Sequence, residues 1–150
     1  MICSSYHLDV GEQGIPSGML SPSSPNEGVV SMSTAYLVVA LLAVAANGFS
    51  GIAALLRFKP ILPGMAAAGV PESWLTFPIG TLKTAGAAGL LLGILGVPMI
   101  GIAAAIGLIL FFVCAVHTHI LARDYAAQFG LANAFLALNI AVLVLGPAVS

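Results

Sequence analysis

Charge is what this sequence lacks. Of its 150 residues only 6% are Asp, Glu, Lys or Arg, four basic against five acidic, while 60% are hydrophobic and the mean hydropathy is +1.12. A water-soluble domain carries roughly a quarter charged residues to solvate its surface, so most of this surface faces lipid. The shortage of Lys and Arg leaves no basic patch and excludes nucleic-acid binding. Cysteine is equally scarce: Cys3 and Cys114 stand far apart with no C-x-x-C, which excludes a disulfide-exchange centre and leaves Cys114 as a small apolar packing residue. No phosphate-binding loop and no nucleophile–base pair is found. The histidines of "CAVHTHILARD", His117 and His119, are two apart, about 200° around a helix, whereas helical metal pairs use i, i+4 spacing. No metal site is expected.

What is present is a set of long apolar runs. A helix needs about 20 residues to cross a ~30 Å hydrocarbon core, and four stretches supply them: Thr34 to Leu56, Pro78 to Leu95 with only Lys83 charged, Met99 to Ile120, and Ala132 to Val149. The runs are continuous rather than alternating and too few for a closed barrel, so helices are the form that satisfies the backbone in lipid. The fold expected is all-α, an integral membrane four-helix transmembrane bundle over residues 33–150.

The first 31 residues differ in kind. They are rich in Ser, Pro and Gly, their charges are Asp9, Glu12 and Glu27, and they lack the basic start and apolar core of a signal peptide. Nothing there demands burial. Residues 1–32 are expected as a disordered tail or a start assigned too early, with synthesis beginning at Met32.

Orientation follows from the basic residues. Arg57 and Lys59 follow the first span and Arg123 follows the third, whereas the amino-terminal segment, the Gly96 to Pro98 turn and the carboxyl end have none. The positive-inside rule places the first and third loops in the cytoplasm and both termini outside. The first loop, "KPILPGMAAAGVPESWLTFP", is too short to span and is expected on the membrane surface with Trp74 as an interfacial anchor.

This topology gathers Arg57, Glu72, Lys83, His117, His119, Arg123 and Asp124 at the cytoplasmic face as a candidate polar site. Lys83 is the unusual member, because it lies inside a span. Its ammonium either snorkels to the interface or pairs with a carboxylate. The helix dipole near an amino end disfavours a cation, so Lys83 is expected within ion-pair or water-bridged reach of Glu72 or Asp124. Packing is carried by small residues: Thr81, Ala85, Gly89 and Gly93 recur every four residues, and Gly51 of "NGFSG" shares a face with Asn47. Asn47 and Asn139 are expected to hydrogen-bond across helices.

The segments "FSGIAALLRFKP", "MAAAGVPESW", "IGTLKTAGAAGLLLG" and "AAAIGLILFFVCAVHTHILARD", in this order and spacing, resemble the DoxX-like family of small four-helix bacterial membrane proteins over about residues 34 to 145. Members often carry a basic residue shortly after the "SG" of the first helix. Ala53 and Ala54 stand there in this chain, and the charge comes only at Arg57. His119 and Asp124 match an "AxxxHxxxxD"-like ending of the third helix. The resemblance implies a multi-pass protein of the bacterial inner membrane, in some relatives a subunit of thiosulfate:quinone oxidoreductase or of another membrane oxidoreductase complex. Two functions are set out. One is a non-catalytic membrane subunit or anchor for a soluble or membrane oxidoreductase partner, alone or as a homo-oligomer, with no resident cofactor but with a quinone or other lipid-soluble molecule as candidate ligand. The other is a carrier or channel for a small solute or protons, against which the absence of a broken span or internal repeat argues.

Overall fold

A computed structural model describes residues 25–146, which are helical without strands. The expectations for residues 1–24, and the end of the fourth apolar run beyond residue 146, lie outside them. Five α-helices follow in order: α1 (Pro25–Leu55), α2 (Leu62–Ala67), α3 (Thr81–Ile94), α4 (Pro98–Ala122) and α5 (Ala127–Leu145). Four stretches are long and apolar enough to cross a membrane: Gly28–Leu55, Glu72–Ile94, Pro98–Ala122 and Ala127–Leu145. The helix α1 begins at Pro25 rather than near residue 33. The fourth span begins at Ala127 rather than Ala132, which brings Gln128 and Phe129 into its first turn.

The second span is composite. With 14 residues, α3 rises only about 21 Å. The crossing is completed by a 3-10 turn, Glu72–Leu75, and a π turn, Thr76–Gly80. The apolar run that begins at Pro78 is thus a regular helix only from Thr81, and the expectation that no span is broken is corrected at this one. A proline excludes the helical region for the residue before it, and Phe77 accordingly sits at φ −135°, ψ 127°. The Phe77–Pro78 peptide is cis, and the Thr81 hydroxyl donates to the Thr76 carbonyl oxygen at 2.7 Å across the interruption.

The four spans form a closed ring in which α1 packs on α3, α3 on α4, α4 on α5 and α5 on α1. Neighbours run antiparallel, as the paired levels show: a Cβ placed on Gly93 would lie 2.6 Å from the Gly101 Cα, and one on Gly89 would lie 2.6 Å from the Ala104 Cβ. Only hydrogen side chains permit so close an approach of two helix backbones, the usual means of association where lipid supplies no hydrophobic drive. The core is correspondingly made of small residues, Ala40, Ala43, Ala105 and Ala132, with Leu90, Leu108, Phe112 and Val142 filling the wider levels. Large apolar side chains such as Leu41, Phe49, Leu110 and Val144 point outward, where hydrocarbon would cover them.

The α3–α4 turn needs Gly96 at φ +113°, a value β-carbon-bearing residues avoid, and Pro98 then opens α4 in the first-turn position where its missing N–H costs nothing. At the opposite end α1 and α4 finish while α3 and α5 begin. Helix polarity alone thus brings residues 57, 59, 72, 123 and 124 to one end of the bundle.

Candidate functional site

Lys83 lies on the second turn from the irregular start of the crossing, and α3 is rotated so that its side chain runs into the bundle. The rotation is fixed by Gly51 on α1. A Cβ there would lie 2.6 Å from Thr84 Oγ1 and 3.0 Å from the Lys83 Cβ, so this small residue lets the Lys83–Thr84 level of α3 close onto the Ser50–Gly51 level of α1. The ammonium donates to Ser50 Oγ at 2.7 Å. It also lies 4.9 Å from the Phe135 ring centroid, 5.0 Å from that of Phe112 and 5.8 Å from that of Phe111, within the range of cation–π attraction. The rings support one another: Phe112 stacks on Phe135 with centroids 5.0 Å apart, and Phe111 meets Phe112 edge-on at 5.1 Å. All four spans therefore contribute to one cage, with Lys83 from α3, Ser50 from α1, Phe111 and Phe112 from α4, and Phe135 from α5.

Of the two arrangements expected at Lys83, the direct ion pair is not formed. Among the described residues no carboxylate lies within 4.0 Å of the Lys83 ammonium, and the one ion pair is His119–Asp124. Glu72 is exposed at the start of its 3-10 turn. Snorkelling is not the arrangement either, since the side chain turns inward to the rings. A buried unpaired cation costs several kcal/mol. One hydrogen bond and three ring faces, each worth about 0.5–2 kcal/mol, offset part of that. Among the described residues two of the three ammonium N–H groups have no hydrogen-bonding acceptor. Lys83, Ser50, Phe111 and Phe135 are half-buried and Phe112 is fully buried, so the cage is not sealed.

Polar groups continue past the cage. Asn47, one turn before Ser50, and Asn139 of α5 are both 0% exposed. Asn47 Nδ2 donates to the Ala43 carbonyl at 2.8 Å and, weakly, to Asn139 Oδ1 at 3.4 Å, while Asn139 Nδ2 donates to the Phe135 carbonyl at 2.8 Å. The cross-helix amide contact is present as expected, yet Asn47 Oδ1 and Thr84 Oγ1 are buried with no hydrogen-bond partner among the described residues.

The remaining site residues form a rim about 10 Å nearer the helix ends, seven residues along α4 from Phe112 at 1.5 Å per residue. His119 Nδ1 lies 3.1 Å from Asp124 Oδ2, and the Ala126 N–H donates to Asp124 Oδ1 at 3.3 Å. The His119 ring meets Phe129 at 6.3 Å. His117 is exposed on the other side of α4, as are Arg57 and Arg123 at the ends of α1 and α4. The expected site thus divides into an interior cage at Lys83 and a rim at His119 and Asp124. Among the described residues no group of three or more His, Cys, Asp and Glu side chains is placed to hold a metal.

Of the packing residues, Gly51, Gly89 and Gly93 lie at helix contacts, whereas Ala85 is exposed and Gly86 takes its level, with Leu108 against it. Ser50, Thr84 and the three phenylalanines were not read from the sequence as site residues. Ser50 had a signal: it stands three residues after Asn47, on the same face of α1. A shallow cavity of about 20 Å³ lined by Tyr36, Pro98, Ala105 and Val142 sits at the far end of the bundle. It is large enough for a single water and is remote from every charged residue of the site.

A family model described as the DoxX-like family matches residues 38–144. The span covers Ser50, Lys83, Phe111, Phe112, His119, Asp124 and Phe135. Comparison with curated proteins and with solved structures gives no match in either case.

Proposed function

The chain belongs to the DoxX-like family, and from that premise we propose that this multi-pass membrane protein is a non-catalytic subunit or anchor for an oxidoreductase partner. In this reading it sits in a bacterial inner membrane and holds a lipid-soluble molecule, with a quinone as the redox-active candidate, where its four spans meet. One observation carries the reading: Lys83 places a cation at the junction of all four helices with a single hydrogen-bond acceptor, Ser50. An ionisable side chain held inside a span is expensive and marks a functional position. A ligand oxygen would fill the open donor positions of the ammonium, and the half-buried rings of Phe111 and Phe135 would meet its apolar part. The absence of a nucleophile–base pair from the sequence fits a subunit that binds and anchors while its partner carries the chemistry.

The test is purification from the native membrane in mild detergent, followed by mass spectrometry of co-purifying proteins and of extractable quinone. A redox protein and quinone are expected with the wild-type chain, and Lys83→Met is expected to lose the quinone while keeping the protein partner. A chain that purifies alone, and whose reconstituted vesicles pass protons or a small solute in a Lys83-dependent way, would sink this reading in favour of a carrier.

A further inference from the structure

We propose that Lys83, Ser50 and Thr84 form a carboxylate site, and that the molecule received there is a single-chain fatty acid whose head group supplies the counter-charge that the chain itself withholds. This rests on the reading that the bundle interior receives a lipid-soluble molecule at Lys83, and it assigns that molecule's polar end.

Three donors lie at one level of the bundle, where Lys83 and Thr84 of α3 face Ser50 and Gly51 of α1. The ammonium of Lys83 uses one N–H on Ser50 Oγ at 2.7 Å and keeps two. Ser50 accepts through its oxygen, so its own hydroxyl proton remains to be donated. Thr84 Oγ1 is buried with no hydrogen-bond partner among the described residues, and it faces Gly51, the neighbour of Ser50 in sequence, on the facing helix. A carboxylate has two oxygens with about four lone-pair sites, which matches one ammonium and two hydroxyls. A neutral carbonyl would accept the same hydrogen bonds but leave the charge uncompensated. An anion removes the largest unfavourable contribution at the site, because a buried charge is tolerated chiefly when paired and hydrogen-bonded. The rest of the surroundings is apolar, namely the rings of Phe111, Phe112 and Phe135, so the molecule behind the carboxylate is an acyl chain arriving from the lipid.

The experiment uses the full chain in phosphatidylcholine nanodiscs, with native mass spectrometry and thermal unfolding as readouts. The probes are palmitate, methyl palmitate, acetate and a short-chain quinone. Palmitate is expected to bind and raise the melting temperature, with methyl palmitate and acetate inert. Lys83→Met is expected to weaken palmitate binding about thirtyfold or more, the usual consequence of truncating one partner of a buried charge pair. Should Lys83→Met fail to fold, Thr84→Val, which keeps the shape and removes only the hydroxyl, is expected to weaken palmitate binding, while Lys59→Met at the rim leaves it unchanged. Equal binding of methyl palmitate would overturn the carboxylate, and equal binding of acetate would overturn the acyl chain. Lys83-dependent binding of the quinone without palmitate would overturn this inference and leave the proposed function standing. Binding of neither would overturn this inference together with the ligand part of the proposed function, whose partner is tested separately by co-purification.

Discussion

Arg57 and Arg123 hold the backbone in the left-handed region, at φ 50° and 53°, where glycine is the usual residue. Each ends a helix in the same way. The Phe58 N–H returns to the Ala53 carbonyl at 3.0 Å, and the Asp124 N–H returns to that of His119 at 3.0 Å, bonds that satisfy carbonyls the helix leaves open. A side chain in this conformation costs about 1–2 kcal/mol. A cation at a helix carboxyl end recovers about 0.3–1 kcal/mol, and an anionic lipid surface adds about 1 kcal/mol for each nearby arginine. The arginines are thus explained by charge at a place where conformation alone favours glycine. Arg123→Gly should therefore exchange one advantage for the other and leave stability within about 1 kcal/mol of wild type. Arg123→Val, with the strain kept and the charge gone, should lower it by the lost charge contribution, about 1–2 kcal/mol. Thermal unfolding in anionic-lipid nanodiscs measures both. Valine equal to glycine would mean that the backbone at residue 123 adapts freely.

The helix α3 shows how far small residues determine packing. Its Gly93 and Gly89 meet Gly101 and Ala104 of α4, whereas nothing lies within 4 Å of a Cβ on Gly107. Since the atom opposing Gly93 is backbone, no rotamer change can make room, and overpacking of this kind costs about 1–3 kcal/mol or more. Gly93→Leu is expected to lower the melting temperature in detergent clearly, and Gly107→Leu to leave it almost unchanged. Similar losses in both variants would show that glycine matters here for helix propensity and not for the seam. The period of four that begins at Thr81 made Gly89 and Gly93 legible as contact residues, but it continued to Ala85, which the structure leaves exposed. Alanine and glycine are equally small in a pattern of this kind. Which of Ala85 and Gly86 meets α4 depends on the angle at which the helices cross, and it is Gly86 against which Leu108 of α4 packs.

For the whole molecule, the four spans were readable because length and continuous apolarity are properties of each segment alone. The irregular Thr76–Gly80 turn, the inward path of Lys83 and the cage around it were not. They depend on how α3 rotates against α1, which turns on the Gly51–Thr84 contact between residues 33 apart in sequence. The gathering of charge at one end was legible, since alternating spans bring every second connection to the same side. That asymmetry carries a prediction of orientation. Arg57, Lys59 and Arg123 lie at the end where α1 and α4 finish, and among the described residues the other end has no basic residue. Cytoplasmic loops retain Lys and Arg, so the turn between α4 and α5 should face the cytoplasm and the carboxyl end should face out. In a chain with Cys3 and Cys114 replaced by Ser, a membrane-impermeant maleimide applied to intact cells should label Ser150→Cys at once. It should likewise label Val97→Cys, in the α3–α4 turn at the same end, and Ala126→Cys only after permeabilisation. The reverse pattern would place Lys83 and the His119–Asp124 rim toward the outer side, and a redox partner would then have to meet the chain there instead of from the cytoplasm.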